Sequence, residues 1–219
     1  LATGGAVVTS QFLGAGKKED ACKSAKQLIV SSVCITIGIS ILVMVFCNGI
    51  ISLFFGKIEA DVFHNAVIYM MISALSFPFL ALYNSCAALF RSMGNSKITL
   101  KVSVVENIIN IGGNALGVYV LGLRVAGVAI PSLISRAVAG FILYRLLKNP
   151  SNEVHLLKES FHIDWPVIHK IFYIGIPSGI ENGIFQLGRV IVVSIIAGFG
   201  TVQIAANGVA NSLDSMGCI

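Results

Sequence analysis

KVSVVENIINIGGNALGVYVL, residues 101–121, is the stretch that decides the fold. As a helix it would be about 30 Å long, the thickness of a bilayer's hydrocarbon core. Glu106, Asn110 and Asn114 recur in it every four residues. On a helical wheel they occupy an arc of about 80° and span ~12 Å of axis. A carboxylate facing hydrocarbon is costly, so such residues turn toward a bundle interior or a wet cavity and mark substrate or ion pathways. A carboxylate with amide oxygens suits a proton, a Na⁺ or a cationic substrate. The competing structural reading is cross-helix glue, in which buried amides bond neighbouring helices for about 0.6–2 kcal/mol each.

Working outward, hydrophobic runs appear at 1–13, 27–55, 62–90, 99–121, 125–146, 169–198 and 203–219. The chain is 56% hydrophobic and 11% charged, against about 25% charged residues in a soluble domain. The fold class is therefore all-α: a polytopic membrane helix bundle, with the lipid bilayer as its first partner. The first residue is Leu1 and the last run is still apolar at Ile219, so an internal fragment, cut within a helix at both ends, is expected.

Cationic side chains set the orientation. Lys17, Lys18, Lys23, Lys26, Arg91, Lys97, Lys101, Arg145, Lys148, Lys158 and Lys170 border alternate loops, while the intervening loops hold only Lys57 and Arg124. The loops near 14–26, 91–101 and 147–168 are thus expected to be cytoplasmic. The net charge of +5 is a topology signal, and no basic stripe interleaved with aromatics points to nucleic acid. The longest polar stretch, Lys148 to His162, separates five runs from two and is expected to contact little else. Asp164 is placed to cap the helix entered at Trp165-Pro166. Five cysteines show no CxxC spacing and read as small hydrophobes. His155, His162 and His169 read as a solvated linker face.

In the run 169–198, Glu181, Ser178, Arg189, Asn182 and Gln186 share an arc of about 140°, with Gly175, Gly179 and Gly183 beside it as a small-xxx-small packing stripe. Glu181 has no cation within a turn of its helix and is a candidate proton carrier; a packing glutamate bonded to a neighbour's backbone is the alternative. Gln186 shares the candidate pathway. Two structural ion pairs are expected across helix hairpins: Glu106 with Arg136, and Arg189 with Asp214. The first would make Glu106 a structural residue instead of a transporting one. Walker, HExxH and GxSxG motifs are absent, so no catalytic residue or metal site is assigned, and any pumping would draw on an ion gradient.

Several segments resemble the MATE (multidrug and toxic compound extrusion) family. Gln11-Phe12-Leu13-Gly14-Ala15-Gly16-Lys17-Lys18-Glu19-Asp20-Ala21 resembles its loop after helix two, and Arg91-Ser92-Met93-Gly94-Asn95-Ser96-Lys97 its loop between helices four and five. Asn110-Ile111-Gly112-Gly113-Asn114 resembles its helix-five asparagine pair, Gly127-Val128-Ala129 its helix-six entrance and Gly175-Ile176-Pro177 the start of helix seven. The resemblance implies two six-helix lobes around a central cleft. Residues 1–147 would be part of the N-terminal lobe, 148–168 a cytoplasmic inter-lobe linker and 169–219 the start of the C-terminal lobe. Implied also are a plasma (inner) membrane location, a monomer, no cofactor beyond a coupling H⁺ or Na⁺, and export of cationic amphipathic compounds. Asn110 and Asn114 would belong to the N-lobe cavity. One branch keeps its helix-seven acid about a turn later, where this chain has Phe185, so Glu181 is displaced from it. The alternative function is a flippase for lipid-linked saccharides of the same broad exporter group.

Overall fold

The computed structural model describes residues 1–55, 60–122, 125–150, 152–156, 163–197, 207, 208 and 211. Its helices are α1 (Ala2–Gly14), α2 (Lys18–Val45), α3 (Cys47–Phe55), α4 (Ala60–Ser92), α5 (Ser96–Ala115), α6 (Ala126–Leu147) and α7 (Trp165–Ala197), with a π-helical turn at Leu116–Val120 extending α5. Among the described residues there is no strand. The backbone forms two compact units, Leu1–Gly175 and Ile176–Ile219, so α7 begins in the first and ends in the second.

The run 27–55 was expected as one span and is two helices. At 28 residues α2 is about 42 Å long and crosses the hydrocarbon by itself. After Phe46 the chain turns into α3, whose buried Cys47 and Ile51 seat it against α4. Among the described residues, three helices are long and apolar enough to cross a membrane by length and composition: Lys18–Val45, Phe63–Ser92 and Ala126–Leu147.

Within the first unit α4 is the hub and packs on α1, α2, α3, α5 and α6. The core lies toward the expected cytoplasmic ends of these helices. Val8 of α1, Leu28 of α2, Leu89 and Phe90 of α4, Leu143 and Leu147 of α6 and Ile171 of α7 are all buried there. Elsewhere the surface stays apolar: Ile108, Ile111 and Tyr119 are exposed at 65%, 69% and 87%. Such patches suit hydrocarbon and would be an aggregation liability in water.

The loops after α1 and α4 close in the same way. Gly16 and Gly94 have φ of 74° and 73°, a left-handed conformation that glycine adopts without a Cβ penalty. Each turn carries a paired bond back into its helix, Lys17 N–H to the Phe12 carbonyl (2.9 Å) and Asn95 N–H to that of Phe90 (2.9 Å). With Gly16 N–H to Leu13 and Gly94 N–H to Arg91, both at 3.0 Å, these are Schellman caps, which satisfy otherwise unbonded carbonyls.

The polar segment after α6 does not stand clear of the bundle. Val154 is fully buried in the same core as Leu143 and Phe90. Leu156 N–H bonds the Leu147 carbonyl at 3.3 Å, and Asn152 Nδ2 the Leu146 carbonyl at 2.8 Å. Over 148–150 and 152–156 the expectation of few contacts is corrected, because Val154 and the half-buried Leu156 dock the segment; residues 151 and 157–162, Lys158 and His162 with them, lie outside the described residues. Asp164 Oδ1 accepts the Val167 N–H at 3.4 Å, so the expected N-cap of α7 is present.

Candidate functional site

The α5–α6 hairpin brings the asparagines onto a polar surface of α6. Its closed end is a backbone crossing at Gly117 and Gly127. A Cβ on Gly127 would stand 2.7 Å from the Gly117 carbonyl oxygen, and one on Gly117 would run into the Gly127 backbone. Pro131 has no N–H, so the Gly127 carbonyl lacks its usual donor four residues on; this is the carbonyl facing Gly117. One turn deeper, Gly113 abuts the Pro131 ring. Only residues without side chains let the helices approach this closely.

That approach sets Asn110 opposite Ser132 and Ser135. Asn110 Nδ2 donates to Ser132 Oγ at 3.0 Å and to Ser135 Oγ at 3.5 Å, and Asn114 Nδ2 donates to Asn110 Oδ1 at 3.1 Å. Each serine hydroxyl has a single proton. Ser132 donates its proton to the Val128 carbonyl (2.9 Å) and Ser135 to the Ser132 carbonyl (3.1 Å). The lone pairs of both therefore face α5. Asn114 Oδ1 is buried with no hydrogen-bond donor, an acceptor left open where an unmade bond costs about 1–3 kcal/mol. The serine oxygens and Asn110 Oδ1 thus have donors, and Asn114 Oδ1 is the acceptor of the cluster left without one, which a cation can complete.

Glu106 is half-buried one turn before Asn110. Its expected partner Arg136 is engaged elsewhere: Nη1 donates to Ser76 Oγ of α4 at 2.6 Å. Glu106 and Arg136 interact through their charges without a direct hydrogen bond. The ion pair expected from hairpin depth is replaced by a charge-assisted bond to a third helix.

In the Ile176–Ile219 unit, Glu181 and Gln186 are exposed. Asn182 Nδ2 returns to the Ser178 carbonyl at 2.7 Å, so its amide serves its own helix. A cavity of ≈ 580 Å³ has Phe185, Arg189, Val192, Asn207 and Asn211 in its walls. Neither Glu181 nor Gln186 is among its lining residues. Asp214, the expected partner of Arg189, lies outside the described residues.

Ser76, Ser132 and Ser135 were not foreseen from the sequence. The last two sit three residues apart in an apolar run, and with Arg136 they are the only strongly polar side chains between Gly127 and Phe141. The angular reading applied to α7 would have found them on α6.

A bundle of bilayer-length helices with an acceptor-lined cluster between two of them defines a class: multi-pass membrane proteins with polar groups held inside the membrane. Comparison with known proteins narrows this. The family model MatE matches residues 1–116, and the chain belongs to that family. It is 32% identical over 205 residues to the uncharacterized transporter YisQ of Bacillus subtilis (strain 168), covering 91% of this chain and 44% of YisQ. It is 27% identical over 216 residues to the multidrug export protein MepA of Staphylococcus haemolyticus, covering 94% and 45%. A solved MOP superfamily transporter from Pyrococcus furiosus has the same fold, with a TM-score of 0.87 at 20% identity over 99% of this chain and 48% of that one. The chain spans a little under half the length of these curated relatives.

Proposed function

We propose that the chain is part of a secondary antiporter that exports cationic amphipathic compounds in exchange for an inorganic cation, and that the α5–α6 cluster holds the coupling ion. The observation carrying this reading is the open acceptor Asn114 Oδ1 beside serine lone pairs. Neutral amides and hydroxyls do not take up protons near neutral pH, and hard cations prefer oxygen ligands. The cluster therefore suits Na⁺ better than H⁺. A proton route would run instead through the carboxylates, Glu106 in the first unit or Glu181 in the second. Membership of a family that includes a named multidrug export protein supports the export direction.

The organic part of a substrate has a candidate site of its own. The cavity with Phe185 and Val192 in its walls offers apolar surface, while Arg189 disfavours a positive charge there.

Coupling requires the ion to bind one state of the transporter better than another, since equal affinity shifts nothing. Asn114→Leu keeps the approximate side-chain volume and removes the acceptor. Efflux of a fluorescent cation from vesicles of the full-length protein is the test, under imposed Na⁺ or pH gradients. Asn114→Leu is expected to lower Na⁺-driven efflux by about tenfold or more, the loss of one ligand's interaction, with folded protein retained. Glu181→Gln is expected to act only on pH-driven efflux. Unchanged Na⁺ dependence in Asn114→Leu would remove the ion site from this cluster.

A further inference from the structure

The segment Asn152–Leu156 is held to the first unit by an unusual set of contacts. Its one deep anchor is Val154, fully buried. Two of its backbone donors meet sulfur: Val154 N–H reaches Met93 Sδ at 3.3 Å and His155 N–H reaches Cys22 Sγ at 3.5 Å. Sulfur is a weak acceptor. His155 Nδ1 is buried with no partner, so docking leaves one polar atom worse off than in water. Beside the segment lies a cavity of ≈ 330 Å³ with Lys18, Glu19, Cys22, Glu153 and His155 among its walls. Water therefore has a reservoir at the seam.

These contacts contrast with those of the helices beneath. Leu28, Leu89, Phe90, Leu143 and Leu147 are buried by several neighbouring elements and lie in helices with internal backbone bonds. The five-residue segment has one buried valine, a half-buried Leu156 packed at the edge of the same core, one backbone bond to a carbonyl of α6 and one side-chain bond to another. Local opening begins where buried apolar contacts are few and hydrogen bonds weak.

We propose that Asn152–Leu156 is a releasable strap, docked as seen here across the cytoplasmic ends of α2, α4 and α6, and that its release bares Cys22 to the cytoplasm. Docked, it leaves Cys22 only 3% exposed with its sulfur under the His155 N–H. Released, it frees the chain between α6 and α7, the connection that any rocking of one transporter half against the other would load. That last link rests on the antiporter reading; the strap itself does not.

The experiment reads Cys22 alkylation by N-ethylmaleimide in the full-length protein, with Cys34, Cys47, Cys86 and Cys218 replaced by alanine. Inside-out vesicles present the cytoplasmic face, and mass spectrometry follows the rate. Val154→Ala weakens the anchor, and Val154→Thr keeps its shape while adding a hydroxyl, so one folded variant suffices. In de-energised vesicles Cys22 is expected to react slowly with Val154 present. It should react about tenfold faster or more in either variant, at unchanged thermal unfolding temperature. Equal rates in all three proteins, or no reaction in any short of unfolding, overturn the strap. With a Na⁺ gradient imposed the Val154 protein is expected to change its rate. A strap that responds to the variants and ignores the gradient is severed from the transport cycle. Loss of efflux coupling in the wild type, with Cys22 gating intact, removes the antiporter reading and leaves the strap standing.

Discussion

Arg136 shows what a single charge inside a helix bundle demands. Its stem passes along α6 and its head finds Ser76 of α4, 60 residues away in sequence. Hydrogen bonds to charged groups contribute about 1.5–3 kcal/mol, and leaving such a group unpaired costs more. Ser76→Ala removes the acceptor, yet Glu106 is close enough to interact with Arg136 and can take the guanidinium over. The expected loss is therefore about 1.5 kcal/mol, at the low end of that range. Ser76→Ala with Glu106→Gln should lose at least twice as much, because no carboxylate remains to accept. Thermal unfolding of the purified single and double variants checks this; an additive, small double loss would mean the two acceptors are independent. The sequence exposed Arg136 and Glu106 as costly charges in an apolar setting. It did not expose Ser76, because one serine among the four of α4 carries no mark of its own and its partner depends on how three helices meet.

At the scale of elements, the α5–α6 hairpin was the most legible part. Four-residue spacing of Glu106, Asn110 and Asn114 foretold a polar face, and the exposed Ile108 and Leu116 lie off it. The bonding partners were hidden by register: a π turn at Leu116–Val120 shifts the end of α5 against α6, and such turns frequently occur at functional sites. The break between α2 and α3 was likewise invisible in a continuous apolar run. Docking of Val154 escaped notice because Val154, Leu156 and Leu157 make too short an apolar cluster to show a helical period. Gly127→Ala tests what the hairpin's closed end does. Its Cβ would meet backbone, which cannot swing aside, so overpacking of about 1–3 kcal/mol is expected. The same variant should weaken Na⁺ stabilisation of the purified protein, by parting Asn110 from Ser132. Loss of stability with Na⁺ binding intact would separate the crossing from the ion cluster.

At the scale of the whole molecule, orientation rests on eleven cations against two, and one pair of sites tests it. Asn95 sits in the Gly94 turn and Leu121 at the far end of the extended α5, and both are exposed. In an otherwise cysteine-free full-length protein, Asn95→Cys should react with a membrane-impermeant maleimide only from the cytoplasm, and Leu121→Cys only from the opposite side. Reaction of both from one face would mean that α5 does not cross. The glycine crossing has a bearing on how such a bundle could respond to an ion. Gly117 against Gly127 is a fulcrum, and Asn110 lies seven residues along the beam, about 10 Å away. A tilt of about 5° at the pivot moves the asparagine by about 1 Å, the difference between a hydrogen bond and none. A cation gripped at that distance needs only a small angular nudge to be felt along both arms of the hairpin.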